Sequence, residues 1–346
     1  MSDLSKALLD WYDVHHRVLP WRMSKDPYRI WVSEIMLQQT RVETVKPYFL
    51  RFMEAFPNIK ALASAPEEAY LKLWEGLGYY SRVRNLAKGA KLIQERFLGT
   101  MPETKEELLQ VPGIGEYTAS AILAIAFGEK EVAVDGNLIR IYARLNKASV
   151  VPNDASSKKA CEQYLLQHID ENRAGDFNQA LMDLGELVCL PNGAPKCDQC
   201  PFASFCKAHI EGKETSYPLP KKKVEKKRER RAIFCLIYQN KVLLFKRPAD
   251  GLLGGMHEYL NVKLEGKKKP EQILKNLEIP CKTLMDLGKK KHVFTHLIWD
   301  MEGYLGYLEE APKDGVLASR EEILDRYTLP SAFSAFTDIL LRRYLN

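Results

Sequence analysis

The sequence predicts a two-domain protein in which an all-α domain is followed by a smaller α/β domain. Helical patterns of apolar residues dominate the first part of the chain, and no strand pattern appears before residue 230. A run rich in lysine and arginine then leads into a β-hairpin pattern. The 346 residues suffice for two separate cores. We place the domains at residues 1–217 and 232–346, joined by a basic linker at 218–231.

The first domain opens with two helical patterns. Residues 5–16 form an amphipathic helix, and Asp26-Pro27 is a favourable N-cap and first-turn pair for the second helix. Glu34 lies in the middle of its mostly apolar sequence, Ile30–Arg41. Because burial raises the pKa of a carboxyl group, Glu34 is a candidate proton donor at neutral pH. In isolation, a surface glutamate beside apolar neighbours would fit the pattern equally well.

A glycine-hinged turn with two adjacent tyrosines follows, at residues 74–82. Aromatic rings in such a turn can wedge between bases, and arginines can contact phosphates. We expect Tyr79 to pack in the core.

The central motif is Pro112-Gly113-Ile114-Gly115, between the helical patterns Lys105–Gln110 and Glu116–Ala126. We expect both glycines to adopt positive φ and the free amides at the helix start to bind phosphate. Asp135-Gly136-Asn137 then precedes another helical pattern, Leu138–Asn146. Taken alone, this arrangement also fits a tight turn and an ordinary aspartate N-cap.

Four cysteines, Cys189, Cys197, Cys200 and Cys206, lie within eighteen residues. Without an export signal, disulfides are not expected, so the spacing indicates a metal site. Four thiolates can hold zinc or a [4Fe–4S] cluster, and the ligands alone do not decide between them. We expect the site to have a structural or DNA-docking role. Cys161, Cys235 and Cys281 are predicted to be ordinary thiols.

The net charge of +6 is concentrated in one segment, because Lys221–Arg231 contains eight bases and two acids. Bulk basicity therefore does not indicate a nucleic-acid partner, and a solvated linker is the simpler interpretation of this run. The apolar runs are too short to span a membrane, and residues 1–16 do not resemble a signal peptide. We therefore expect a cytoplasmic protein without a membrane partner.

The second domain begins with the hairpin pattern at 231–245. Further strands are predicted near 258–264 and 298–308, and helices near 271–277, 320–327 and 332–344. The order resembles the Nudix fold, but the acidic metal-binding signature of Nudix hydrolases is missing after Gly255. We therefore expect this domain to bind rather than hydrolyse.

These motifs, over residues 5–345, resemble those of the adenine DNA glycosylases of the MutY type, within the helix-hairpin-helix glycosylase superfamily. The match includes Trp31–Val45, the Gly113–Gly115 hairpin and the aspartate about twenty residues beyond it. The family pattern spaces the four cysteines by six, two and five residues, whereas this chain has seven between the first two. Pro191-Asn192-Gly193 can absorb the additional residue in a looser turn.

The resemblance implies a role for each matching residue. Glu34 would protonate the leaving adenine at N7, Asp135 would stabilise the positively charged sugar, and Tyr117 and Asn137 would orient these groups. Gln39, Thr40 and Tyr80 would enter the duplex, and the Phe294-Thr295-His296 loop would inspect 8-oxoguanine, with threonine in place of the family's serine. Further DNA contacts are assigned to Arg82, Gly113 and Gly115. The four clustered cysteines would hold a [4Fe–4S] cluster.

The predicted activity is hydrolysis of the N-glycosidic bond of adenine opposite 8-oxoguanine or guanine in double-stranded DNA, by a monomer. Related bifunctional enzymes carry a Schiff-base lysine at the position of Tyr117, so strand cleavage is not expected. Two alternatives remain. One is an endonuclease III-like pyrimidine glycosylase/lyase, and the other is a non-catalytic iron–sulfur protein that binds DNA.

Overall fold

The computed structural model describes residues 1–152, 154–220, 225–248, 251–266 and 269–345. The chain divides into two compact units, Met1–Ala65 with Arg82–Lys222, and Pro66–Ser81 with Lys223–Asn346. The second unit thus includes a segment, residues 66–81, from within the predicted helical domain. This segment carries both tyrosines of the glycine-hinged turn.

The first unit is helical, and its described residues contain no β-strand, as predicted. Its helices are α1 (Asp3–His15), α2 (Pro27–Leu37), α3 (Val42–Ala55), α4 (Ile59–Ala63), α6 (Ser81–Arg96), α7 (Lys105–Leu108), α8 (Glu116–Ile122), α9 (Gly136–Asn146), α10 (Ala155–Leu166), α11 (Ala174–Leu187) and α12 (Lys207–Ile210), while α5 (Glu67–Leu73) lies in the second unit. The last turns of α8 continue as a π-helix, Leu123–Phe127.

The apolar faces of α1, α9 and α11 share one core, which includes Leu8, Leu138, Phe177 and Leu181. Asn178 on α11 is buried there, and its polar atoms are satisfied by the chain that precedes α9. Its Oδ1 accepts from the backbone N–H of Ala133 at 2.8 Å, and its Nδ2 donates to the carbonyl of Glu131 at 2.9 Å. Asn178 therefore fixes the backbone two residues before Asp135.

The second unit contains a seven-stranded mixed sheet. Its strands are β1 (Lys227–Tyr238), β2 (Lys241–Lys246), β3 (His257–Glu258), β4 (Leu260–Lys263), β5 (Cys281–Val293), β6 (Leu297–Leu308) and β7 (Val316–Ala318). The central order is β3-β2-β1-β6-β5, with β4 paired to β1 and β7 to β2. Only the β1–β6 pair is parallel among these described strands. The sheet packs with α13 (Pro270–Asn276), α14 (Arg320–Asp325) and α15 (Ser334–Arg343) around two cores, one on each face.

Two features of this unit differ from the prediction. Strand β1 begins at Lys227, inside the predicted linker 218–231, because its first residues pair with β6 through the register Lys227↔Leu297. Strands β5 and β7 were also missed, since the lysine-rich sequence of β5 lacks a clear apolar alternation and β7 has only three residues. Within the described residues, no helix is long and apolar enough to cross a membrane.

Candidate active site

The glycine hairpin lies between α7 and α8. Gly113 has φ +89°, and an added Cβ would lie 3.0 Å from the Cβ of Asn85, so both conformation and space favour glycine. Gly115 is the N-cap of α8 with φ −107° and ψ −179°, an extended conformation open to any residue. The expectation of positive φ is therefore correct for Gly113 and wrong for Gly115. Phosphate binding by this turn stays a prediction.

Helix α2 carries Glu34 into the interior. The helix starts as predicted, with the Asp26 side chain accepting from the backbone N–H of Tyr28 at 2.9 Å and Pro27 in the first turn. Glu34 is only 5% exposed. Burial raises the pKa of Glu34 to about 7; a hydrogen bond from Tyr117 opposes this increase, and the charge of Asp135 adds to it. A group with this pKa can be protonated and deprotonated at physiological pH.

Tyr117 lies in the first turn of α8 and contacts Glu34 directly. Its hydroxyl donates to Oε2 of Glu34 at 2.8 Å. Burial, together with the charges of Glu34 and Asp135, raises the pKa of Tyr117 well above its usual value. The phenol therefore stays protonated and acts as a hydrogen-bond donor.

Asp135 is the N-cap of α9. One carboxylate oxygen, Oδ1, accepts from the backbone N–H groups of Asn137 and Leu138, each at 2.8 Å. The other, Oδ2, accepts from Nδ2 of Asn137 at 2.9 Å. Burial raises the pKa of Asp135, and these hydrogen bonds and the charge of Arg140 limit the increase. The N-cap of α9 is thus a carboxylate that lines the cavity described below.

Asn137 is itself held from two sides. Arg140 donates from Nη2 to Oδ1 of Asn137 at 2.9 Å and to the carbonyl of Gly185 at 2.7 Å. Gly185 on α11 passes so close that an added Cβ would lie 2.6 Å from the Cβ of Asn137. The amide that binds Asp135 therefore has little freedom to move.

One cavity of about 500 Å³ unites these groups. Glu34, Tyr117, Asp135 and Asn137 all line it, as do Gln39 and Thr40. Gln39, at φ +57°, is exposed just beyond the end of α2. The structure thus brings together the four predicted catalytic residues and two of the predicted DNA-binding residues.

Part of the cavity wall is formed by a charged cluster that was not predicted from the sequence. Asp183 on α11 is fully buried and accepts from Arg17 and Arg22 at 2.6–3.2 Å. Burial alone would raise the pKa of Asp183, but the two arginines hold it below its usual value. Arg17 also pairs with Glu186 at 2.6 Å, and both line the cavity. An acid within the apolar face of α11, the same signal as in α2, could have revealed Asp183.

Arg82 does not have the position that its DNA-binding assignment requires. It is buried, and its Nη1 donates to the carbonyls of Ile35, Met36 and Gln38 at 2.5–2.9 Å. Its Nη2 donates to Oγ1 of Thr40 at 3.2 Å. Arg82 therefore caps the C-terminus of α2 and supports the Gln39-Thr40 loop from within. The assignment as a phosphate contact is wrong.

The assignments of the two tyrosines are also reversed. Tyr79, predicted to pack in the core, is 48% exposed, with φ +49°. Tyr80, predicted to enter DNA, is 5% exposed, and its hydroxyl accepts from the backbone N–H of Gly76 at 3.2 Å. The positive φ at Tyr79 directs the first ring outward and the second inward. Tyr79 is thus the tyrosine whose ring is exposed.

The four clustered cysteines line one small pocket and form no disulfides. Arg144 on α9 donates from Nη1 to Sγ of Cys189 at 3.1 Å and to the carbonyl of Leu190 at 3.0 Å. The convergence of four thiols, with a guanidinium N–H on one sulfur, fits a Cys₄ metal centre. Cys189 lines the pocket with the other three cysteines despite the additional residue between it and Cys197. His209 and Glu214 lie at the same pocket, 2.5 Å from each other.

In the second unit, Phe294-Thr295-His296 forms the turn between β5 and β6. Thr295 and His296 are exposed. The Phe294 ring is partly buried, 4.9 Å from that of Trp299. The hydroxyls of Thr295 and Tyr79 are 2.9 Å apart. The turn thus exposes polar groups, and Tyr79 lies beside them.

Comparisons with known proteins agree with this arrangement. A family model described as HhH-GPD superfamily base excision DNA repair protein matches residues 32–167, and a NUDIX domain model matches residues 232–338. An adenine DNA glycosylase of Rattus norvegicus is 36% identical over 351 residues, covering 84% of this chain and 68% of the relative. Another, from Buchnera aphidicola subsp. Baizongia pistaciae, is 38% identical over 255 residues, covering 71% of this chain and 70% of the relative. A solved thermostable thymine-DNA glycosylase shares 27% identity with a TM-score of 0.56, over 60% of this chain and 95% of that one.

Proposed function

The chain belongs to the adenine DNA glycosylase family, and from this premise we propose that it excises adenine paired with 8-oxoguanine or guanine, without cutting the strand. The observation that carries the chemistry is the pairing of Glu34 and Asp135 in one cavity, with Tyr117 donating to Glu34. Base excision requires the adenine to leave the stack and enter such a pocket.

Each group in the cavity has a distinct task in this proposal. Protonated Glu34 transfers its proton to N7 of adenine, and the bond between C1′ and the base breaks as the neutral purine leaves. The Asp135 carboxylate stabilises the resulting oxocarbenium-like sugar, as in other glycosidases. A water molecule bonds to C1′ and gives up a proton, the Glu34 carboxylate is reprotonated, and the net reaction is hydrolysis.

The charged wall provides a means to recognise the base. Adenine offers an N–H donor at N6 and an acceptor at N1. Glu186 supplies an acceptor and Arg17 supplies donors, and their pairing at 2.6 Å keeps both at the cavity wall. Asp183 holds Arg17 in place. A pyrimidine with a carbonyl at the corresponding position would place an acceptor against Glu186.

Tyr117 supports hydrolysis over a lyase reaction. A lyase forms an imine between a lysine amine and C1′, which a phenol cannot do. The endonuclease III-like alternative lacks its nucleophile at this position, and the non-catalytic alternative leaves the cavity and its two acids without a purpose.

The Cys₄ pocket supports a resident [4Fe–4S] cluster, held by Cys189, Cys197, Cys200 and Cys206. Such a cluster would cross-link the loop after α11 and carry one-electron redox chemistry. The proposed partner is double-stranded DNA, bound by a cytoplasmic monomer, with the Phe294–His296 turn reading the base opposite adenine.

The test is single-turnover cleavage of duplexes that carry adenine opposite 8-oxoguanine, guanine, cytosine or thymine. We expect rapid excision from the first two, with strand breaks appearing only after alkali. Borohydride trapping of the protein on DNA, or release of a pyrimidine, would overturn the proposal. The Phe294→Ala/Thr295→Ala/His296→Ala variant should lower the ratio of excision rates opposite 8-oxoguanine and guanine.

A further inference from the structure

The first half of β1 makes a series of contacts around the Phe294-Thr295-His296 turn. Lys226, just before the strand, donates from Nζ to the carbonyl of Phe294 at 2.8 Å. The backbone N–H of Lys227 donates to the carbonyl of His296 at 3.1 Å. Two successive residues of the basic run thus bind the first and last residues of the turn.

Side chains then align the strand with β6. Arg228 binds both carboxylate oxygens of Asp300 at 2.9–3.0 Å, and Arg230 pairs with Glu302 at 3.0 Å. The alternation matches the two-residue period of a strand, so both pairs lie on one face. Exposed pairs of this kind add little stability. Their value is in the register, because a shift of one residue would break both pairs and reverse the faces.

The opposite face is held by Arg231. Its guanidinium lies 4.5 Å from the centre of the Trp299 ring, and Trp299 in turn packs edge-on against Phe294. Glu229 and Asn261 accept from the same guanidinium at 2.7 and 3.3 Å. Arg231 therefore holds Trp299, the residue against which the Phe294 ring packs.

From these contacts we propose that the basic segment Lys226–Arg231 is a positioning element for the recognition turn, and that it determines how well the protein distinguishes 8-oxoguanine from guanine. The inference rests on the proposed function of the turn. It assigns these bases to intramolecular partners rather than to DNA phosphates. It also means that the last residues of the predicted linker, 226–231, are part of the structure that recognises 8-oxoguanine.

A charge swap tests this assignment. Arg228→Asp and Asp300→Arg should each lower the ratio of single-turnover excision rates opposite 8-oxoguanine and guanine, by roughly 5- to 30-fold. The double variant should restore most of the ratio. If Arg228 instead contacted a phosphate, Arg228→Asp would weaken binding to both duplexes equally and reduce the salt dependence, and the swap would not rescue it. That outcome would overturn the proposal.

Lys241→Asp is the matched control, with the same change of charge at the far end of β1–β2, and should leave the ratio unchanged. Amide hydrogen exchange of residues 294–297 in the full-length protein provides a readout that is independent of activity. Exchange should accelerate in both single variants and recover in the double variant. Unchanged exchange in the single variants would refute the positioning role. If Arg228→Asp fails to fold, Arg231→Met tests the contact between Arg231 and Trp299 in the same two assays. Arg231→Lys is its conservative counterpart.

The triple-alanine turn variant separates this inference from the function it rests on. An unchanged ratio in that variant would refute recognition by the turn. A reduced ratio there, with unchanged ratios in the Arg228 and Arg231 variants, would refute the positioning element alone.

Discussion

The hydroxyl of Tyr117 donates to Oε2 of Glu34 at 2.8 Å, inside a cavity that Asp135 also lines. A residue that cannot form an imine thus lowers the pKa of the proposed general acid. Burial raises the pKa of Glu34 and the hydrogen bond lowers it, and the balance of about 7 results from both.

Burial of the Glu34 carboxyl group should lower the free energy of unfolding at neutral pH. Its pKa in the folded state, about 7, exceeds the ordinary value of 4.5, so the folded chain retains a proton that the unfolded chain loses as the pH rises. The stability cost grows between pH 4.5 and 7 and reaches about 3 kcal/mol. Glu34→Gln should therefore melt at a higher temperature than wild type at pH 8, with a smaller advantage at pH 5. Its excision rate should fall by about 10²-fold or more. A near-normal rate would refute the role of general acid.

Replacement of Tyr117 by phenylalanine should shift the pH profile. Without the hydrogen bond, the pKa of Glu34 rises, so the protonated form persists to higher pH. We expect the falling limb of the single-turnover rate near pH 7 in wild type, the pKa of Glu34, and at higher pH in the variant. Tyr142→Phe, a tyrosine outside the cavity, serves as control. A limb that stays in place would show that another group is responsible for it.

Substitution of Gly185 should lower the excision rate by displacing Asn137. In Gly185→Ala, the new Cβ would lie 2.6 Å from the Cβ of Asn137, which must move away from Asp135. We expect excision to fall by about 10-fold or more, the equivalent of one lost charged hydrogen bond. Gly175→Ala on the same helix also meets neighbours, at 3.0 Å, but these are the backbone of Ala124 and Ile125. The control should lose stability without a comparable loss of rate, when both are measured at a temperature where they are folded.

The cysteine pocket predicts a coloured protein. Purified protein should contain about four irons and absorb visible light, if one cubane occupies the Cys₄ site. Cys197→Ser should lose iron and DNA affinity, whereas Cys281→Ser, in the second unit, should retain both. A colourless protein with stoichiometric zinc would refute the iron–sulfur cluster and indicate a zinc site.

The parts of the site that could be predicted from the sequence are those with a local signal. Glu34 is an acid in an apolar helix, Asp135 is an acid at a helix start, and the cysteines are close in the chain. The wrong assignment of Arg82 comes from partners far away in sequence. Arg82 appeared to be an exposed base at a helix start, since the carbonyls that bind it lie more than forty residues earlier.

The basic run Lys221–Arg231 was assigned to a linker for the same reason, although β1 begins at Lys227. Eight bases among eleven residues are typical of a solvated linker, and nothing near them indicates a strand. The carboxylates of Asp300 and Glu302 that pair with Arg228 and Arg230 lie 72 residues later. Charge pairing across a sheet is a property of the register, which the sequence does not display.

The two tyrosines provide the last prediction. Tyr79→Phe removes the hydroxyl that lies 2.9 Å from Oγ1 of Thr295, whereas Tyr80→Phe removes the buried acceptor of the Gly76 N–H. We expect the first variant to keep its melting temperature and to lower the 8-oxoguanine-to-guanine rate ratio by a few-fold. The second should keep the ratio and melt about 2 °C lower, since loss of a hydrogen bond costs on the order of 1 kcal/mol. Both variants lose one oxygen atom from adjacent residues, so each is the control of the other. The opposite result, a rate ratio that depends on Tyr80 and a stability that depends on Tyr79, would restore the assignment made from the family pattern. It would also contradict the exposure of Tyr79 and the burial of Tyr80.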